Sequence, residues 1–177
     1  MKRSLTTMHI SQIKKSISIL SIVFIVLSYL LSSGILLLRP QRALAATYTV
    51  TTNADSGAGS LRQAITDANA SLGVDDVIVF SSAMTIQPTS ALPNITDTVE
   101  INGYTGSPGG ATPNTAVSPE PFNGTLTIEL DGTNAGANVN GLLFSAGSEG
   151  SVVRGLVINR FRQDGISIFD ANNITAA

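Results

Sequence analysis

The sequence predicts an all-β chain: a parallel β-helix of few coils with one short helix at its start, preceded by an N-terminal membrane-targeting helix. Three observations carry this reading. Residues 17–38 hold no charge and are apolar apart from serines and Gly34. After residue 45, short runs of β-forming residues alternate with turn residues. Asn140-Gly141-Leu142-Leu143-Phe144 returns as Asp164-Gly165-Ile166-Ser167-Ile168, offset by 24 residues.

The N-terminus comes first in the chain. As a helix, the 22 residues Ile17 to Leu38 would measure about 33 Å, enough to cross a hydrocarbon core of about 30 Å. They show no polar face. Lys2, Arg3, Lys14 and Lys15 precede the stretch, and Arg39 and Arg42 follow it. The excess before it favours the N-terminus inside and the remainder outside. Residues 1–45 therefore read as a signal peptide cleaved after Ala43-Leu44-Ala45, or as a retained signal anchor. Either reading exports the rest, to the cell surface or beyond.

Charge divides at the same point. Of ten Lys and Arg, six lie at or before Arg42, whereas all twelve Asp and Glu lie after it. Residues 46–177 thus carry 4 − 12 = −8 and no lysine, which argues against nucleic-acid binding. Acidity of this kind commonly keeps an exported protein soluble. The chain has no cysteine, so neither disulfides nor thiolate chemistry is available to it.

Within 46–177, one segment reads as a helix. Leu61, Ala64, Ile65 and Ala68 recur at helical spacing after a Ser60…Gln63 capping box. Strand-like runs follow at 76–80, 84–87, 94–96, 98–103 and 126–132. Residues 105–121, rich in Pro, Gly, Ser and Thr, read as a surface loop. The 24-residue recurrence holds three short runs and three turns, as stacked coils would. It sets Leu142 beside Ile166 and Phe144 beside Ile168.

The string Gly59-Ser60-Leu61-Arg62-Gln63-Ala64-Ile65, followed by Ala68-Asn69, Asp76-Val77-Ile78-Val79-Phe80 and Leu92-Pro93-Asn94-Ile95, resembles the opening of bacterial exported right-handed parallel β-helix proteins of the pectin-lyase-like class. Those surface proteins often begin with a Cys-Ser-Leu-Arg-Glu-Ala-type motif; here Gly59 replaces the cysteine and Gln63 the glutamate. The resemblance spans roughly residues 46–170. It implies a right-handed coil whose N-terminal end is capped by the Ser60–Asn69 helix. It implies no particular activity, because that fold carries lyases, hydrolases, adhesins and stalks.

Chemistry on such a fold uses clustered carboxylates, often beside calcium or a basic residue. The candidates are Asp131, Asp164, Asp170, Arg154, Arg160 and Arg162. Asp131 and Asp164 each precede glycine and read first as turn residues. Arg160 and Arg162 alternate along an extended run, share one face, and are the candidate ligand-binding pair, for an acidic sugar. Calcium needs six to eight converging oxygens; Asp75-Asp76 and Asp164…Asp170 are acidic without the spacing of a known calcium loop. No cofactor is therefore expected. His9 lies in the export segment, leaving no histidine for acid–base or zinc work after it. No nucleophile elbow or phosphate loop is present. Asn-x-Ser/Thr triplets occur at Asn69, Asn94, Asn123 and Asn173; Asn94 and Asn173 read as turn residues before strands and Asn69 as the end of the helix.

The reading is then of an exported cell-surface or secreted module, structural, adhesive or glycan-contacting, with no catalytic site of its own. The alternative is an N-terminal fragment of a polysaccharide lyase or glycoside hydrolase. Residues 166–177 begin a coil with no polar cap after it, so the chain reads as truncated. The expected partners are a membrane, through the N-terminal helix, surface polysaccharides, and a second copy joined end to end.

Overall fold

The computed structural model describes residues 18, 21–26, 28–29, 44–104 and 111–177. It divides into two compact units, Met1–Arg42 and Ala43–Ala177. In the first, the described residues are helical, and the Ser28 hydroxyl donates to the Ile25 carbonyl at 2.7 Å. Ile22, Val23, Phe24, Ile25, Val26 and Tyr29 are each more than half exposed. No helix among the described residues is long and apolar enough to cross a membrane. Much of the expected 17–38 helix, Ala43 of the cleavage site and part of the 105–121 loop lie outside the described residues.

The second unit begins with β1 (Thr47–Val50) and α1 (Leu61–Ala68). Then follow β2 (Asp76–Phe80), β3 (Met84–Ile86), β4 (Val99–Asn102), β5 (Ile128–Asp131), a 3-10 turn (Gly132–Asn134), β6 (Leu142–Phe144), β7 (Val152–Arg154), β8 (Leu156–Asn159), β9 (Ile166–Ile168) and β10 (Thr175–Ala176). They form three sheets: β1-β2-β4-β7-β10, β3-β5-β8 and β6-β9. Every pairing within them is parallel. The expected juxtaposition is present in the smallest sheet, with Leu142 beside Ile166 and Phe144 beside Ile168.

The fold-class expectation needs correction. The unit is not all-β, and its strands form separate parallel sheets with no closed β-helix; nor does a membrane-spanning helix occur among the described residues. The physical reason lies in the spacing. Partners are 23 residues apart from Val77 to Glu100 but 52 from Glu100 to Val152. They are 44 apart from Met84 to Ile128 and 28 from Ile128 to Leu156. The 24-residue offset holds only once between strands, at β6 and β9. A chain whose period drifts this far gives five strands to one sheet and two to another. Residues 94–96 contribute only an isolated bridge, Ile95 to Phe144.

Alternation along the strands fills one core. Ile78, Ile101 and Val153 lie in register across the first sheet, Ile86 and Leu130 across the second, and Leu142 and Phe144 face them from the third. All seven are buried. Where the chain leaves β4 and β7, Gly103 and Gly155 stack so closely that a Cβ on Gly103 would collide with the Gly155 carbonyl oxygen. Gly155 also has φ +71°, a region that side chains disfavour.

Helix α1 buries Leu61, Ala64, Ile65 and Ala68 against β1 and β2, as the apolar stripe predicts. Half of the capping box forms. The Ser60 hydroxyl accepts from the Gln63 amide at 3.2 Å, but the Gln63 side chain donates instead to Asp67 at 2.7 Å, one turn along. Arg62 fastens the helix to two loops. It pairs with Asp55 at 2.8 Å and donates to the carbonyls of Ser90 and Ala91. Between β6 and β7 a serine chain replaces apolar packing. Buried Ser148 donates to the Ser145 carbonyl at 2.6 Å, and buried Ser151 to the Ser148 carbonyl at 2.7 Å while accepting from the Val99 amide at 3.0 Å.

Candidate functional site: the polar face of the three-stranded sheet

In β5 the residues alternate Ile128-Glu129-Leu130-Asp131. The two aliphatic side chains are buried in the core, so the two carboxylates point to the opposite face. Register brings Thr85 of β3 beside Glu129 and Asn159 of β8 beside Asp131. The Thr85 hydroxyl donates to Glu129 at 3.2 Å and the Asn159 amide donates to it at 2.9 Å. Gln87, just beyond β3, donates to Asp131 at 2.7 Å. The Thr133 hydroxyl and backbone amide donate to the other Asp131 oxygen at 2.6 and 3.0 Å.

Arg160 closes the network. It follows the last residue of β8 with φ +57°, a left-handed conformation uncommon outside glycine. Its guanidinium lies 2.8 Å from Glu129 and 3.2 Å from Asp131. The Asp131 carboxyl is held down at a pKa of about 2, first by the Thr133 hydroxyl and then by the Gln87 amide, the Thr133 backbone amide and the Arg160 charge. Asp131 is therefore a charged acceptor at neutral pH and no proton donor.

Two carboxylates and one guanidinium leave the cluster at −1, with Arg160 neutralised locally. Such a face repels acidic sugars more than it attracts them. Asp131 is buried and holds the array together, so what the face offers is the hydroxyls of Thr85 and Thr133, the amides of Gln87 and Asn159 and the Glu129 carboxylate, suited to hydrogen-bonding sugar hydroxyls. Among the described residues, no group of three or more Asp, Glu, His or Cys side chains is placed to hold a metal ion.

The structure separates the two arginines of the candidate pair. Residues 160–163 are not strand, so Arg160 and Arg162 do not alternate along one extended face. Arg162 is exposed and takes part in none of the ion pairs between described residues. Arg154 belongs to another sheet, where it pairs with Glu100 at 2.5 Å. Asp164 acts as a turn residue, its amide donating to Asn140 at 3.0 Å. Asp170 has φ +60° and is exposed. Asp131 combines both readings, since it starts the 3-10 turn and accepts the network's hydrogen bonds. Asn69 is a clamp, accepting from the Thr96 amide at 2.9 Å and donating to the Asn94 carbonyl at 2.7 Å.

Sequence reasoning missed Thr85, Gln87, Glu129 and Asn159. Their signal is the alternation in Met84-Thr85-Ile86-Gln87 and Ile128-Glu129-Leu130-Asp131, but recognising it requires knowing that these runs pair at a 44-residue offset. Comparison of the chain with protein-family models, with curated proteins and with solved structures gives no match.

Proposed function

We propose that the chain is an exported cell-surface or secreted module that serves as a structural or adhesive scaffold and contacts glycans without a catalytic site of its own. The observation that carries this reading is the Glu129–Asp131–Arg160 network. Its charged groups hold one another in place, which fixes the hydroxyl and amide groups around them for hydrogen bonding to a ligand. Hydrolysis by a carboxylate pair needs one carboxyl protonated at working pH, a role closed to Asp131, which ionises at about 2. Support for export comes from the N-terminus, where basic residues precede an uncharged stretch whose described side chains expose apolar surface. Such surface calls for an apolar environment.

The second reading, part of a polysaccharide lyase or glycoside hydrolase, is favoured by two carboxylates adjoining an arginine, the groups such enzymes use. Incubation of the full chain with neutral and acidic polysaccharides separates the two. The scaffold reading expects binding to a neutral polymer that Gln87→Ala and Asn159→Ala weaken, with no shortening of the polymer. Release of unsaturated or reducing ends, abolished by Glu129→Gln, would replace it with the enzyme reading.

A further inference from the structure

We propose, resting on the reading of residues 1–45 as a cleaved signal peptide, that the Asp76 carboxylate is the receptor for the α-ammonium group that hydrolysis of the Ala45–Ala46 bond creates. Removal of the leader then places a buried ion pair at the start of β1. Asp76 stands where an apolar side chain is expected. Along β2 the alternate residues Asp76, Ile78 and Phe80 are buried, and register sets Asp76 beside buried Val99. Asp76 is itself 1% exposed. A carboxylate so placed is costly unless a cation and hydrogen bonds compensate it, yet none of the ion pairs between described residues includes Asp76. Both groups that donate to its side chain are neutral. The Ser71 hydroxyl donates to one oxygen, and the Ala46 backbone amide donates to the other at 2.7 Å. The nitrogen that cleavage turns into an amine therefore already lies at hydrogen-bond distance from a buried acid without a countercharge.

The bond is accessible to a peptidase. Leu44 is 87% exposed, Ala45 is exposed, and neither belongs to a helix or strand. Ala46 is also held through its carbonyl, which accepts from the Val77 amide at 2.9 Å, so the new end stays beside Asp76 when the leader departs. Hydrolysis adds water across the bond: hydroxide joins the Ala45 carbonyl carbon and a proton joins the Ala46 nitrogen. The proton that the new Ala45 carboxyl then loses is taken up by the amine, which is protonated at neutral pH. The surroundings suit that cation. A hollow of about 340 Å³ beside Asp76 is also lined by Asp75, Glu100 and Glu149 and by no basic side chain. Of these, only Glu100 has an ion-pair partner among the described residues, Arg154. Residues 46–177 contain no lysine, so the new α-ammonium is the only ammonium of the processed chain.

The test uses the full chain, exported by a bacterial host and recovered after processing. Its N-terminal sequence should read Ala46-Thr47-Tyr48; a start at any other residue would overturn the proposal together with the cleaved-leader reading. The single primary amine of the processed chain should react with an amine-directed ester about tenfold or more slowly in the folded protein than in urea. Asp76→Asn should remove most of that protection with an unchanged circular dichroism spectrum. Ala45→Leu, which spoils the small-residue cleavage site, supplies the uncleaved chain, whose Ala46 nitrogen remains an amide. Asp76→Asn should lower the melting temperature of the processed chain by about 5 °C more than that of the uncleaved chain. With cleavage at Ala46 established, an amine that labels as fast folded as in urea would overturn the role of Asp76 alone. So would protection that Asp76→Asn leaves intact, or equal losses of stability in the two forms. The comparison of folded with urea-unfolded wild type needs no variant and decides the matter even where Asp76→Asn fails to fold.

Discussion

Leu130 and Ile158 are neighbours in one sheet, and so are Phe144 and Ile168 in another. The residues of each pair are of similar apolar character and occupy equivalent register positions. Leu130 and Phe144 are 0% exposed, whereas Ile158 is half-buried and Ile168 is 52% exposed. Strand type and register are the same on the two sides of the comparison. What differs is a further layer: Leu130 lies between two strands and Phe144 between β9 and the isolated bridge at Ile95, whereas Ile158 and Ile168 have a strand on one side. Stability in this unit is therefore distributed by cover. The start of the largest sheet obtains its cover from a helix, through Leu61, Ala64, Ile65 and Ala68.

The largest effect should come from the covered layer. Phe144→Ala removes a fully buried ring and should cost about 3–5 kcal/mol, measured by urea unfolding at dilute concentration. A loss near that of an exposed site would mean that the inner layer is not the stable part of the unit. Leu61→Asp places a charge beneath α1, where Leu61 is 1% exposed. It should cost about 2–4 kcal/mol, read as a lowered melting temperature. An unchanged melting temperature would show that the helix is no cover at all. Ile168→Ala, in the less covered layer, should cost under about 1 kcal/mol in the monomer. A loss equal to that of Phe144→Ala would erase the distinction between the layers.

The smallest effect concerns acid. Asp131 has a folded-state pKa of about 2, below the ordinary carboxylate value of about 3.9. Its contribution to stability is therefore present above the unfolded value and is lost as pH falls through about 2. Asp55 is displaced in the same direction, chiefly by its hydrogen bond from Arg62, and adds to the same acid slope. Melting temperature followed from pH 5 to pH 2 should fall, and Asp131→Asn should flatten part of that fall. A variant with the wild-type slope would mean that the network does not stabilise the folded state.

The same comparison explains what could be read from sequence. Leu142-x-Phe144 and Ile166-x-Ile168 carry their register in residue type, because alternation fixes which side chains face the core. The α1 stripe was legible for the same reason, at helical spacing. That the strands do not close into a β-helix was not legible, because the long connection between β4 and β5 changes the period without marking it in the strands. The capping box was half legible: Gln63 has a competing acceptor four residues on, in Asp67, which an i, i+4 pairing satisfies. The polar face was least legible. Arg160 reaches Glu129 and Asp131 through a left-handed backbone that an arginine does not announce, and Gln87 meets Asp131 across 44 residues. Local alternation was visible in each run, whereas the pairing that turns separate runs into a cluster depends on tertiary register.

The central claim is that this cluster contacts a glycan and does not process it. Two-dimensional NMR of the full chain in detergent, titrated with a neutral oligosaccharide that the parent polymer supplies, tests it most directly. The account predicts shifts concentrated at Thr85, Gln87, Glu129, Thr133 and Asn159, with the sugar signals unchanged in length and linkage over days. Shifts confined to other residues, or new sugar signals from cleaved chains, would contradict it.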